Sequence, residues 1–293
     1  MAISRTAEEI SSQPDCWRRS VALAPTLGGL PRPGERIAVT GCGTSWFIAQ
    51  AYAALREGSG QGESDAFPAS EFPVGRRYDR VLAITRSGTT TEVLRLLATL
   101  DGVPTAAITA DPATPVAESA DAIAVLDFAD ERSVVQTRFA TSALALLRAH
   151  LGEDLAAAVS DAERTLSKPL PASLLGAEQY TFLGSGWGYG LAQEAALKMR
   201  EAAGAWTEAY PAMEYRHGPI SITGPGRVAW MLGEVPPGLA EDVSRVGGEL
   251  VADAGVDPMA ELVRAQRLAV ALAEARGLDP DEPRNLTRSV VLG

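Results

Sequence analysis

Only two histidines and two lysines, Lys168 and Lys198, occur among the 293 residues, so the groups that carry a proton or a mobile positive charge near neutral pH can be followed one at a time. His217 lies in Glu214-Tyr-Arg-His-Gly-Pro219, a loop sequence that leaves an imidazole accessible for proton traffic. His150 falls near the end of a predicted amphipathic helix and reads as a surface or last-turn residue. Glu194, Lys198 and Glu201 are spaced i, i+4, i+7 and therefore share one helix face. By itself such a row predicts a solvated ion-pair stripe. Its place just after the turn made by Gly184 and Gly186, pointing toward the loop that holds His217, makes it a candidate part of a reacting site instead.

Two further segments have the composition of an anion cradle. Gly41-Cys42-Gly43-Thr44-Ser45 and Thr85-Arg86-Ser87-Gly88-Thr89-Thr90 each follow a short apolar run and end where a helical pattern begins. Glycine lets the backbone approach a phosphate, a helix N-terminus offers unpaired N–H groups, and the hydroxyls of Ser45, Thr85, Ser87 and Thr90 donate to its oxygens. Ordinary helix capping by Ser and Thr is the competing account of either loop alone. Two such loops at successive strand ends of one sheet favour phosphate. A dinucleotide site is disfavoured: Gly41-Cys-Gly-Thr-Ser-Trp46 lacks the third glycine of G-x-G-x-x-G, and Gly184-Ser-Gly-Trp-Gly-Tyr-Gly190 breaks the spacing. With no Walker lysine, zinc motif or nucleophile elbow in the chain, neither a metal nor an organic cofactor is expected.

The elements that must position these residues come in two copies. Gly41, Gly43, Ala49, Gln50 and Ala53 recur as Gly184, Gly186, Ala192, Gln193 and Ala196, each displaced by 143 residues. Each copy opens with a run suited to a strand buried on both faces, Ile37-Ala-Val-Thr or Tyr180-Thr-Phe-Leu, followed by a G-x-G turn and an Ala-rich helix. Apolar runs at 80–85, 105–109 and 122–126 alternate with helical patterns such as 91–100, which predicts parallel βαβ units and a doubly wound α/β sheet. The pattern predicts a long helix over 130–151, a helix and Pro-bounded linker over 152–173, a strand at 228–233 and helices at 239–253 and 261–276. A free-standing helix at 6–12, a surface loop at 57–64 and an aperiodic tail at 279–288 complete the reading. The expected division is an N-terminal helical segment (1–30), a first subdomain (31–168) and a second subdomain with a C-terminal tail (169–293), in line with the size at which single cores give way to two.

Bulk properties narrow the partners. A net charge of −11 disfavours a nucleic-acid partner or an anionic membrane. Cys16 and Cys42 are too few for a disulfide framework, residues 1–19 lack an apolar leader, and no run of about 18 apolar residues occurs. A cytoplasmic, soluble protein is the expectation.

Eight motifs in order give a resemblance. Glu9-Ile-Ser-Ser-Gln-Pro14, Gly41-Cys-Gly-Thr-Ser45, Ala69-Ser-Glu-Phe72, Thr85-Arg-Ser-Gly88, Glu194-Ala-Ala-Leu-Lys-Met-Arg-Glu201, Glu208-Ala-Tyr210, His217-Gly-Pro219 and Pro283-Arg-Asn-Leu286 are together similar to the sugar isomerase (SIS) family. In particular, the chain resembles the isomerase half of glucosamine-fructose-6-phosphate aminotransferases and stand-alone isomerase and deaminase relatives. The resemblance implies two flavodoxin-like subdomains and a phosphorylated sugar or aminosugar as ligand. Ser45, Thr85, Ser87 and Thr90, with Gly43 and Thr44 beside them, match residues that hold phosphate and sugar hydroxyls. Glu201 matches the carboxylate that moves a proton between C1 and C2, His217 the histidine that opens the ring, and Lys198 and Glu194 its supporting residues. In the family that histidine reaches a neighbouring subunit's site, so a homodimer is implied.

Three departures from the family bear on the reaction. The chain opens Met1-Ala2 without a glutaminase segment, which makes glutamine-driven amination unexpected. Arg288 stands where those aminotransferases have a Schiff-base lysine, and a guanidinium cannot form that imine, although it can hydrogen-bond a carbonyl or phosphate. Arg86 replaces the glutamine of the family's S-Q-S-G loop and adds a cation suited to an anionic ligand. The expected function is isomerisation or deamination of a hexose or aminosugar 6-phosphate by C1–C2 proton transfer. The alternatives are a non-catalytic sugar-phosphate-binding regulator and an aminosugar-forming enzyme that uses free ammonia.

Overall fold

The computed structural model describes residues 3–292; Met1, Ala2 and Gly293 lie outside the described residues. Helices α1 (Arg5–Ser11) and α2 (Gln13–Leu23) precede β1 (Ile37–Gly41), α3 (Thr44–Gly58), β2 (Ser64–Pro68), β3 (Arg80–Ile84) and α4 (Thr91–Thr99). Then come β4 (Thr105–Thr109), the single turn α5 (Val116–Ser119), β5 (Ala122–Val125), α6 (Arg138–His150), α7 (Ala156–Ser167) and the turn α8 (Ala172–Leu175). The second half runs β6 (Gln179–Gly184), α9 (Gly188–Ala203), β7 (Thr207–Pro211), β8 (Arg227–Leu232), α10 (Leu239–Arg245), β9 (Glu249–Val251) and α11 (Pro258–Ala275).

Two compact units divide the chain: one holds Asp15–Arg132, Gln136–Leu155 and the residues from Thr287 on, the other the residues up to Pro14, Ser133–Val135 and Ala156–Leu286. The first contains a five-stranded sheet of order β2-β1-β3-β4-β5 and the second a four-stranded sheet of order β7-β6-β8-β9. Every strand pair is parallel. β1, β3, β4 and β6 are buried along their whole length, which is why they read as unbroken apolar or small-residue runs rather than as alternation. In each sheet the chain goes outward from the first strand (β1 or β6) to one neighbour and returns on the other side, so β1/β3 and β6/β8 flank the points where open α/β sheets bind ligands.

The duplication extends to backbone conformation. Thr40 pairs with Ala83 and, 143 positions on, Leu183 pairs with Met231. Gly43 and Gly186 share the same unusual backbone, with φ of 54° and 53°. The two-subdomain, doubly wound α/β architecture anticipated from the repeat is the one found.

Four local expectations are corrected. The long helix of 130–151 begins only at Arg138, because Glu131 turns back to accept hydrogen bonds from the N–H groups of Thr137 and Phe139 and so caps α6 from a preceding loop. The helix of 239–253 stops at Arg245. Gly247 adopts φ +81°, and a Cβ on Gly248 would lie 2.3 Å from Thr223 Cγ2, so the chain turns sharply there into β9. Strands β2 and β7, each half-buried on a sheet edge, were hidden because Ser64–Pro68 and Thr207–Pro211 contain Pro and acidic residues that mimic loop composition. Helix α1 is not free-standing: Thr6 donates through its N–H (2.8 Å) and hydroxyl (2.7 Å) to Asp281, and Gln13 Nε2, just beyond α1, donates to Gln266 Oε1 in α11 (2.8 Å).

Candidate active site

In the first unit the two candidate loops lie at the carboxyl edge of β1 and β3. A Cβ on Gly41 would lie 2.6 Å from Ser45 Cβ and 2.9 Å from the Ile84 carbonyl oxygen, so glycine is what lets α3 start so close to the end of β3. Thr44 and Ser45 are buried in the first turn of α3, just beyond Gly43. Thr85, 3 % exposed, leaves its Oγ1 buried without a hydrogen-bond partner among the described residues. A buried hydroxyl with nothing to bond to is uncommon in a folded protein. Ser87 Oγ accepts from the Thr89 N–H (3.3 Å) and lies 3.5 Å from Thr90 Oγ1, which places both hydroxyls at the N-terminus of α4. Burial and the nearby Glu92 carboxylate push the thiol of Cys42, inside the first loop, up to about 11.

Arg86 and Arg288 come together in the same unit, and a residue not singled out from the sequence joins them. Arg86 pairs with the buried carboxylate of Glu131, and Arg288 pairs with Asp130 and donates to the Glu131 carbonyl. Glu131 carries no periodic or motif signal of its own; the one usable hint was that an acidic residue ahead of Thr137 is suited to cap a helix starting there.

The second unit holds the acid–base candidates. Gly184 and Gly188 allow α9 to begin tightly against β6 and β8, since a Cβ on Gly188 would meet the Leu232 carbonyl oxygen at 2.8 Å. On α9 the Glu194, Lys198 and Glu201 row is not a solvated stripe. Lys198 Nζ lies 3.5 Å from Glu194 Oε1, with side-chain exposures of 1 % and 0 %, and also pairs with Glu201, whose side chain is 18 % exposed. Of the three, Glu201 alone reaches a cleft of about 400 Å³ lined also by Arg200, Asp279, Glu282, Arg284 and Asn285. A buried ammonium thus fixes one carboxylate from behind while leaving it open to a ligand. His217 closes a 3-10 turn, Glu214–His217, is exposed, and is followed by Gly218 at φ +131°. His150 sits in the last turn of α6, its Nε2 2.9 Å from the Pro31 carbonyl oxygen, in keeping with a structural part.

No cluster of His, Cys, Asp or Glu suited to a metal ion occurs among the described residues, and no described helix is long and apolar enough to cross a membrane.

The chain is similar to the glutamine–fructose-6-phosphate aminotransferases (isomerizing) of Gloeobacter violaceus, 28 % identical over 88 % of the chain and 52 % of the relative, and of Sulfolobus acidocaldarius, 27 % identical over 99 % and 55 %. It therefore spans about half the length of the curated relatives it matches. Among solved structures its fold is shared by glucosamine-6-phosphate deaminase from Thermotoga maritima, with a TM-score of 0.81, 24 % identity and coverage of 99 % of this chain and 100 % of that one. It is shared as well by tagatose-6-phosphate ketose/aldose isomerase from Escherichia coli, with a TM-score of 0.79, 19 % identity and 97 % of each chain covered. Residues 32–151, which carry the β1 and β3 loops, match the SIS domain family model.

Proposed function

We propose that the protein is an aldose–ketose isomerase of a hexose or aminosugar 6-phosphate. The observation that carries this reading is Lys198: an ammonium shut off from water and shared between Glu194 and Glu201 has no use on a passive binding surface, whereas it orients the one carboxylate that opens onto a cleft. The phosphate is held by the Ser45 and Thr85–Thr90 hydroxyls and by the N–H groups opening α3 and α4. His217 moves the proton that opens the sugar ring, acting in the site of a second copy of the chain. Glu201 then takes a proton from C1 or C2 of the open chain, leaving an enediol-type intermediate, and returns it to the adjacent carbon. With Arg288 in place of an imine-forming lysine, the proton shuttle needs no covalent bond to the protein.

Incubation with fructose 6-phosphate, glucosamine 6-phosphate and their epimers in deuterated water tests the reading. Deuterium at C1 or C2 is expected, with loss of exchange but retention of binding in Glu201→Gln. Release of ammonia from glucosamine 6-phosphate would make the protein a deaminase. Binding by thermal shift with no exchange from any substrate would make it a sugar-phosphate sensor.

A further inference from the structure

Arg86 and Arg288 meet on one acidic strip. Arg86 Nη1 lies 3.1 Å from Glu131 Oε2, with side-chain exposures of 2 % and 0 %, and Arg86 Nη2 donates to the Arg288 carbonyl oxygen at 3.0 Å. Arg288 reaches back to the Asp130 carboxylate and the Glu131 carbonyl. Glu131 Oε1 is fixed from the other side by the Thr137 hydroxyl (3.1 Å) and the Phe139 N–H (3.4 Å). Beyond Arg288 the chain stays on the cradle: Thr89 Oγ1 donates to Ser289 Oγ (3.0 Å), the Thr91 N–H donates to the Val290 carbonyl (3.2 Å), and the Leu292 N–H donates to Thr91 Oγ1 (2.9 Å).

This geometry argues against direct service of either guanidinium to a ligand. If Arg86 swung to a phosphate, Glu131 would be left charged, buried and without its ion pair, which is among the costliest states in a protein interior. Each arginine is instead committed to a carboxylate or carbonyl of residues 130–131, and through them the segment 287–292 is tied across the N-terminus of α4.

We propose that Glu131 is a positioning residue: through Arg86 and Arg288 it locks the segment Thr287–Leu292 over the Thr85–Thr90 loop, so that the Thr85, Ser87 and Thr90 hydroxyls are held ready for the phosphate. The assignment rests on the reading of that loop as the phosphate site. It makes Arg86 and Arg288 braces of the cradle.

Arg288→Gln is the primary test, because the residue is partly exposed and its loss does not threaten the core. Two readouts are taken together: amide hydrogen exchange at Thr91 and Leu292, and affinity for fructose 6-phosphate and inorganic phosphate by calorimetry. Loss of charge-assisted bonds of this kind is expected to speed exchange at both amides and raise the Kd by about tenfold. Glu131→Gln, checked for folding by circular dichroism, should do the same. Faster exchange with unchanged affinity would reduce the strap to a structural element and overturn the proposal, as would unchanged exchange. Failure of the unaltered protein to bind either probe would remove the phosphate-loop reading itself, and the positioning role with it; that outcome is visible before any variant is made.

Discussion

Glu194 and Lys198, one turn apart on α9, form an ion pair from which water is excluded, and the same ammonium holds Glu201 at the mouth of a cleft. Three charges on one helix face are thereby divided into a buried pair and one carboxylate open to the cleft. Removing the cation alone takes from the buried Glu194 its ion pair with Lys198. Lys198→Met is expected to lower unfolding free energy by about 3–5 kcal/mol, and the double variant Glu194→Gln/Lys198→Met to recover most of that loss. Urea denaturation of Lys198→Met and the double variant measures it; a double variant as unstable as Lys198→Met would show that the loss does not come from the broken Glu194–Lys198 pair.

The Cys42 thiol, raised to about 11 by burial and by Glu92, should react slowly with iodoacetamide between pH 7 and 8, and its rate should climb steeply only as pH approaches 11. Glu92→Gln removes the second cause and should move the curve to lower pH. Mass-spectrometric labelling of the native protein across pH separates this from simple inaccessibility, which would leave the rate low at every pH.

Asp281 links acid stability to the docking of α1. Burial opposes its ionisation, but the N–H and hydroxyl of Thr6 and the N–H of Arg5 bond the carboxylate and hold its pKa below the ordinary aspartate value. A carboxyl whose folded pKa is depressed stabilises the fold fully above its unfolded pKa of about 3.9 and loses that contribution as pH falls through the lower folded value. The stability gap between the unaltered protein and Asp281→Asn should therefore be constant near neutrality and narrow below about pH 4. Denaturation curves from pH 7 down to acid conditions measure the gap; one that widened on acidification would contradict the linkage.

Much of the scaffold was legible because its signals are local. Central strands such as Ile37–Gly41 and Thr105–Thr109 announce themselves as apolar or small-residue runs, and the spacing from Gly41 to Gly184 carries the duplication. The edge strands β2 and β7 were not legible, since half-burial removes the apolar continuity that marks their neighbours. Within the candidate site the loop hydroxyls could be named from their place after strands, but the partner of Arg86 could not, because Glu131 lies 45 residues away and only tertiary packing brings it there. Burial of Glu194 and Lys198 was likewise invisible: an i, i+4 pair has the same sequence on a wet helix face as on a dry one, and which face is covered depends on how the helix packs.

Two glycines in the segment from β1 through α3 should respond to alanine with opposite signs. At Gly41 a Cβ would stand 2.6 Å from Ser45 Cβ, 2.8 Å from the Ser45 carbonyl carbon and 2.9 Å from the Ile84 oxygen. Two of those three atoms are backbone, so the start of α3 must move away from the end of β3, at a cost of about 1–3 kcal/mol. The displacement falls on Ser45 and on the approach to Thr85, so sugar-phosphate affinity should fall along with Tm. At Gly58, in the last turn of the same helix, a Cβ would meet nothing within 4 Å, and φ is not positive. Alanine there gains helix propensity and should raise stability by up to about 1 kcal/mol without touching the ligand. Thermal melts of both variants, with and without fructose 6-phosphate, read the two effects together; a Gly41→Ala protein that kept full ligand-induced stabilisation would show that the β1 loop is not part of the cradle.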